Sequence, residues 1–424
     1  MLSFYFLSEP SMTASYFNRR RNQKILFSQY GLCAALVLLW TITAQGAIYY
    51  VATTGNDTNP GTQDSPFLTI QKCVDIVVAG DTCLVGDGTY SDTDGNGIVV
   101  YIRNSNANGT VVNPITIRSE NPLQARIIMP GINGPNSAFR IARAYYIIEG
   151  FDITGGTGVG ANASNNAVVF TNGSTGSIVR NNDFHDIGRN ICSNSTYAFT
   201  GVFASDGASN IVVTKNRFHT IGRRRIGEFG CDLRHSPLEQ GDHGIYIKNV
   251  DGMTISRNVF YDVNRGFAIS LGTGTMSNIN VYHNTFSGRS LTGAPKGQII
   301  MSGVLSNVYI KNNISHDALI GMVNFYTVVA SNVIVSFNLS DTLEKTVPYL
   351  GVTFSNNIER STNLGFADQS RNDFRLASGS VAINRGTKVG VPPVKDGVPD
   401  IGAYELSDQD SWPSLTAPVD LAIQ

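Results

Sequence analysis

The chain has 424 residues, of which only 15% are charged and 43 are glycine, with 31 basic against 32 acidic side chains. So little charge and so much glycine argue against a helical protein, which would need more Leu, Glu and Lys, and favour strands and turns. The near-neutral balance lacks the basic footprint of a nucleic-acid binder.

Arg19, Arg20, Arg21 and Lys24 precede an apolar stretch from Gly31 to Trp40, and small residues follow at Ala44, Gly46 and Ala47. This order predicts an export signal over residues 1–47. The run is short for a bilayer span of roughly twenty residues, so cleavage is expected and an uncleaved anchor is the alternative. Without these residues the chain carries 27 basic and 31 acidic side chains, a net of −4. The expected product is a secreted monomer, extracellular or periplasmic, with no membrane span. Four cysteines then remain: Cys73, Cys83, Cys192 and Cys231. Their positions favour Cys73–Cys83 and Cys192–Cys231 among the three possible pairings, with four buried thiols as the alternative. No CxxC or His/Cys spacing suggests zinc.

Residues 48–110 read as an N-terminal cap with the first turns of a repeat. Apolar residues at 70, 73, 74 and 77 predict a short helix over Thr69–Val78, ended by Gly80-Asp81 and followed by a strand at Thr82–Val85. A repeat array needs its first strand edge covered, and a short amphipathic helix can do this. Asp92-Thr-Asp94-Gly-Asn96-Gly97 opens like a calcium-binding loop, but Arg103 stands where the bidentate glutamate belongs. A polar turn is the expectation, and no cofactor is otherwise implied. Residues 114–128 supply two strands and 145–156 the next.

From 111 to 365 the chain repeats. The blocks IVRNNDF, VVTKNRF, TISRNVF, NVYHNTF, YIKNNIS and VIVSFNLS align Asn182, Asn216, Asn258, Asn284, Asn313 and Asn338, at steps of 34, 42, 26, 29 and 25 residues. A period in the twenties with insertions marks a solenoid in which each repeat is one turn. Alternation points Ile245, Ile247, Phe267, Ile269, Ile255 and Val281 inward. The asparagines are expected to turn inward and bond neighbouring backbone at the bend, which their tolerance of left-handed geometry would suit.

Three blocks carry a family resemblance. The start YYVATTGNDTNPGTQDSPFLTIQKCVDIVVAGDT, the repeat HGIYI…ISRNVF, and the end DFRLASGSVAINRG…DGVPDIGAYE resemble the right-handed parallel β-helix family, the pectin-lyase-like fold, over nearly all of 48–405. The resemblance implies an all-β, right-handed parallel β-helix solenoid with a short N-terminal capping helix. Residues 366–408 would close it and 409–424 form a flexible tail. The family includes polysaccharide lyases, uronate epimerases, glycoside hydrolases and proteins without known chemistry, so fold alone does not select an activity. The acidic cluster that holds calcium in pectate-lyase-type sites is missing from the sequence pattern, as are the paired aspartates of the fold's hydrolases.

One connection is unlike the others. Between Phe218 and Gly244 lies HTIGRRRIGEFGCDLRHSPLEQGDH, against YDVNR in the next repeat. A Cys192–Cys231 bridge would tie it to the smaller insertion before it and wall a strand face carrying Phe203, Tyr246, Lys248, Ala268 and Ser270 outward. Residues 219–300 hold nine basic and six acidic side chains, a net of +3 in an otherwise acidic protein, which points to a polyanionic ligand. If the ligand is a uronate polymer, β-elimination or C5 epimerisation needs a cation at the carboxylate and a base for the adjacent C–H. His243, His235 and Lys248 are candidate bases, Tyr246 a proton donor, and Arg225 and Arg234 candidate neutralisers. Asp242 would orient His243. Phe203, Tyr246, Arg223, Arg224 and Arg265 are expected to contact the sugar chain. The alternative is a non-catalytic carbohydrate-binding or cell-surface β-helix using the same face.

Overall fold

The computed structural model describes residues 46–407 apart from 132–135, 156–164, 194–196, 225, 233–240, 264–265, 289–297, 319–320, 344–348, 360–363 and 395–396. Residues 1–45 of the predicted signal, and the predicted tail 409–424, lie outside the described residues. The described residues form one compact unit. Among the described residues no helix is long and apolar enough to cross a membrane.

The chain winds into a right-handed parallel β-helix with three faces. Face A comprises strands such as Ile98–Ile102, Ser137–Ile141, Asn165–Phe170, Phe199–Ser205, His243–Lys248 and Ile269–Leu271, each paired in parallel with the next. Face B continues each turn, through Ile178–Arg180, Ser209–Thr214, Asp251–Ser256 and Thr275–Tyr282. Face C completes it in a separate 10-stranded sheet that includes Asp152–Thr154, Asp183–His185, Arg217–Ile221, Val259–Val263 and Thr285–Ser287. In the last turns, strands Ile299–Lys311 and Val323–Ser336 run from face A round the corner onto face B. They thereby join the two faces into one 17-stranded sheet.

The period of two fixes what fills the coil. Ile245, Ile247, Ile255, Ile269 and Val281 are fully buried in the core, whereas Phe267, expected inward, is buried at 2% exposure beside His243 while Ala268 packs in the core instead. On face C the inward position is phenylalanine four times running. Phe184, Phe218, Phe260 and Phe286 stack with ring centroids 4.7, 4.8 and 5.1 Å apart, close to the strand spacing. Each such ring contributes roughly 1.5–3 kcal/mol by burial, with stacking adding about 1 kcal/mol per pair.

The asparagine column forms as a hydrogen-bonded ladder at the corner between faces B and C. Asn216 Oδ1 accepts from the Asn182 backbone N–H at 3.0 Å, Asn258 Oδ1 from Asn216, Asn284 from Asn258, Asn313 from Asn284, and Asn338 from Asn313. Each Nδ2 also donates to a carbonyl of the preceding turn, for example Asn258 to Val213 at 2.9 Å. The ladder has a further member, Asn357, only 19 residues after Asn338. One expectation changes here. The left-handed residue is the one before each ladder asparagine: Lys215, Arg257, His283 and Phe337 have φ of 53–57°. Holding such residues left-handed costs about 1 kcal/mol each, which the buried amide bonds offset.

The capping helix spans only Ile70–Val74, shorter than predicted, with Thr69 Oγ1 accepting from the Lys72 amide. Two features stop it. Cys73 is bonded to Cys83, and Asp81 draws the Val78 and Ala47 amides onto its carboxylate. Gln71 reaches the backbone of Tyr101 at both its N–H and its C=O, closing the first edge of face A. At the far end, Leu364, Leu376, Ala382 and Ile401 pack on Ile314 and Leu339. Asn312 locks this segment with paired bonds to Thr387, both 2.9 Å. The closing segment therefore also covers the outside of face C, where Phe374 and Ala403 meet Val259.

Candidate functional site

Face A is where the long connections emerge, and its strand positions are chemically distinct. Tyr101 is in register with Arg140, Arg140 with Val169, Val169 with Phe203, Phe203 with Tyr246, and Tyr246 with Ser270. Lys248 sits beside Ser205 one position along. Tyr101, Arg140, Phe203, Tyr246 and Lys248 are each partly exposed. None of the six face A strands named above contains an aspartate or glutamate. By contrast, faces B and C carry Glu149, Asp152, Asp183, Asp251 and Asp262.

The wall beside this face is built as two linked loops. Cys192 is bonded to Cys231. The Gly222 amide donates to the Ile187 carbonyl and Arg224 to Ile191, both at 2.8 Å. Arg189 binds Glu228 through both terminal nitrogens, at 3.1 and 3.3 Å.

Several expected site residues take other roles. Arg223 is 1% exposed and forks onto Asp242, itself fully buried, with Nε–Oδ2 and Nη2–Oδ1 contacts of 3.0 Å. Its guanidinium also lies 5.0 Å from the Phe199 ring centroid. Arg223 is thus a loop anchor and is removed from contact with an outer ligand. Asp242 is engaged there and with the Phe199 amide, so it does not orient His243. His243 is 6% exposed and its Nδ1 accepts the Phe267 amide at 3.1 Å. A backbone amide can only donate, so a neutral His243 carries its proton on Nε2 and has no spare lone pair. It does not serve as a base in this geometry. Ala268 and Ser270, expected to face outward, are buried at 2% and 5% exposure, and Ala268 packs in the core just ahead of the strand that begins at Ile269. Arg224 is partly buried and donates from Nε to the Arg189 carbonyl. Arg225, Arg234, His235 and Arg265 lie outside the described residues.

Phe203 and Tyr246 are neighbours as expected, with centroids 5.3 Å apart and planes 17° from parallel. Stacked this way they spend facing surfaces on each other and present edges outward. A glycine at 272 makes room for the second ring, since a Cβ there would lie 2.2 Å from it. Burial, opposed by a hydrogen bond from Thr273, holds the Tyr246 hydroxyl above its ordinary range, so it stays protonated as a donor.

A second cluster, on face C, was not anticipated. His185, His219 and Tyr261 stack at 5.2 and 4.7 Å. His185 donates to Asp152 at 2.6 Å and Asp186 at 2.7 Å, while Asp183 binds Arg217 and His219. Burial alone would lower the His185 pKa, but the two carboxylates outweigh it and push it up to about 9. The signal was present in DFHD and RFHT: with Phe inward, His must face outward and lie over its neighbour.

Among the described residues no group of three His, Cys, Asp or Glu side chains could hold a metal. The Asp92 carboxylate instead accepts the amides of Asp94, Gly95 and Gly97, which makes the expected polar turn.

Residues 49–221 match the family model described as "Pel9A-like, right handed beta helix region". Among solved structures, the chain is similar to pectate lyase Pel9A at 17% identity, covering 85% of this chain and 97% of that one with a TM-score of 0.51. It is also similar to an alginate lyase from Paenibacillus sp. str. FPU-7, at 16% identity, 69% and 93% coverage and a TM-score of 0.45. A structure titled "Glycoside hydrolase" aligns at 11% identity, 78% and 99% coverage and a TM-score of 0.49. At these identities the likeness is one of fold. No curated protein matches the chain.

Proposed function

We propose that the protein is an exported, carbohydrate-active β-helix whose face A receives an acidic, uronate-containing polysaccharide and opens it by β-elimination or inverts it at C5. One observation carries this: the named face A strands bear Arg140 and Lys248 and no carboxylate, in a protein that is acidic once residues 1–47 are set aside. A polyanion meets attraction along that face and repulsion elsewhere. The similarity to a pectate lyase adds support at the level of fold.

The chemistry falls to Lys248 and Tyr246. Both reactions begin with loss of the proton at C5, beside the carboxylate. Lys248, when neutral, accepts that proton. In elimination the electron pair forms the C4–C5 double bond, the C4–O bond breaks, and the Tyr246 hydroxyl protonates the leaving oxygen. In epimerisation a solvent-exchangeable proton, donated by a group on the opposite side such as the Tyr246 hydroxyl, is delivered to the other face of C5, Lys248 loses the abstracted proton to solvent, and no bond to the chain breaks. Cations standing near the carboxylate would stabilise the intermediate charge.

The burial of Arg223 and the engaged lone pair of His243 favour a second reading, a binding protein without chemistry. Incubation with pectate, alginate and glycosaminoglycans in heavy water separates them. Elimination yields an ultraviolet-absorbing unsaturated product, and epimerisation places deuterium at C5. Binding with neither outcome leaves the non-catalytic reading, and no binding to any acidic polymer sinks both. Lys248→Met is expected to abolish turnover while leaving binding within a few-fold.

A further inference from the structure

Eight arginines among the described residues form ion pairs with carboxylates, among them Arg126–Asp152 at 2.7 Å and Arg257–Glu405 at 3.5 Å. Arg103, Arg140 and Arg143 form none with any described residue. They also sit together. Ile102 is in register with Ile141, which places Arg103 beside Ala142 and next to Arg143. The Arg103 and Arg140 guanidiniums lie 5.6 and 5.9 Å from the centroid of the same ring, Tyr101. The Nε atoms of Arg103 and Arg143 are buried and have no hydrogen-bond partner. A buried donor left without an acceptor is costly, and these cations form no ion pair with the neighbouring Asp75 carboxylate, which is bonded to Gln71 and Asn106. Arg118 and Arg385 also lack an ion pair, but each stands apart from this group.

We infer that Arg103 and Arg140, set around Tyr101, with Arg143 on the adjoining strand, form an anion subsite that holds a carboxylate of the polysaccharide well away from the reacting sugar. This rests on the polyanion reading of face A and deepens it. Arg140 belongs to the same outward column as Phe203 and Tyr246. From Tyr101 to Tyr246 is four strand steps, or about 19 Å at the usual spacing. The Tyr101 ring fixes the guanidinium planes by cation–π contact, leaving the forked N–H edges for a planar anion. The ligand is then an extended polyuronate lying along the coil axis, long enough to fill both ends at once. Mono- and disaccharides would reach only one end.

Calorimetric titration with oligogalacturonates and oligomannuronates of increasing length tests this, alongside a sulfated glycan, on the wild-type protein and on Arg140→Gln and Arg103→Gln. Affinity is expected to climb with length until the oligomer spans the two ends. Each substitution should weaken the long oligomers at least tenfold and leave the shortest unchanged, with thermal unfolding unaltered. Binding that ignores length, or substitutions that leave long oligomers untouched, overturns the subsite while sparing the polyanion reading. Failure of the wild type to bind any acidic oligomer removes that reading and this one together. Tighter binding of the sulfated glycan at every length overturns the carboxylate assignment.

Discussion

Removing one amide from the middle of the asparagine ladder should cost far more than removing one from its end. Asn258 Oδ1 accepts the Asn216 amide at 2.9 Å and Asn216 Nδ2 at 3.0 Å, and its own Nδ2 donates to Val213 and Asn284. Asn216, Asn258 and Asn284 are all fully buried. In Asn258→Ala, Asn216 Nδ2 keeps its bonds to Val179 and Thr214, but the Asn216 backbone N–H loses its acceptor. The Val213 carbonyl loses one donor as well. At roughly 1–3 kcal/mol for each orphaned buried group, the loss is about 2–5 kcal/mol. Asn357 makes equivalent bonds to Asn338 and Val335, but it is only partly buried. Water can replace it there, so Asn357→Ala should cost about 1 kcal/mol or less. Urea unfolding gives the global difference, and hydrogen exchange over residues 212–218 reports the Asn216 amide directly. Losses equal within about 0.5 kcal/mol, or unchanged exchange at that amide in Asn258→Ala, would refute the account of the ladder.

Asp242→Asn strands the Arg223 charge at 1% exposure and should cost about 3–5 kcal/mol, with Arg223→Met added to it restoring part of that in urea unfolding. His185 has its folded pKa raised to about 9, so its contribution is full below about pH 6.5 and fades as pH rises through 9. Because the ring is partly solvated, the change is discounted to about 2 kcal/mol, and His185→Gln should flatten that alkaline loss in a pH series of unfolding curves. His283 runs the other way: burial first, then the nearby Arg257 charge, hold it down to about 3. Its neutral ring supports folding above about pH 6.5, and that support is lost as pH falls toward 3, which a His283→Gln variant should abolish in acid titration. Replacing Cys192 and Cys231 by serine frees a loop with a sequence separation of 39 and should cost about 4 kcal/mol, against about 3 for Cys73 and Cys83 with a separation of 10.

The coil was legible in the sequence because it depends on quantities that sequence displays directly. Period-two alternation fixed Ile245 and Ile247 inside, and spacing in the twenties aligned the asparagines. Closeness in sequence favoured Cys73–Cys83, and placement in consecutive repeats favoured Cys192–Cys231. The site was less legible because composition says which charges are near and nothing about where each side chain finds its partner. Arg223 and Asp242 were counted as an exposed cation and an orienting carboxylate, yet each is the other's cheapest escape from burial. His243 lost its free lone pair to Phe267, a residue from the next turn that no local pattern links to it.

The aromatic column carries the more general physical consequence. In a parallel coil, residues in register sit about 4.8 Å apart, which is also close to the contact distance of two flat rings. Phe203 and Tyr246 therefore stack on each other, as do Phe184 and Phe218 inside and His185 and His219 on face C. A row of rings predicted from register alone will spend its faces internally and turn its edges to solvent. Sugar stacking on such a row is weakened by the same regularity that makes the row predictable. What remains for a ligand on face A is the charge standing between the rings. Arg140 stands two strands before Phe203 in the outward column, while Lys248 sits two residues along from Tyr246 on the same strand, so substitution of Arg140, more than of the rings, should govern how the polymer binds.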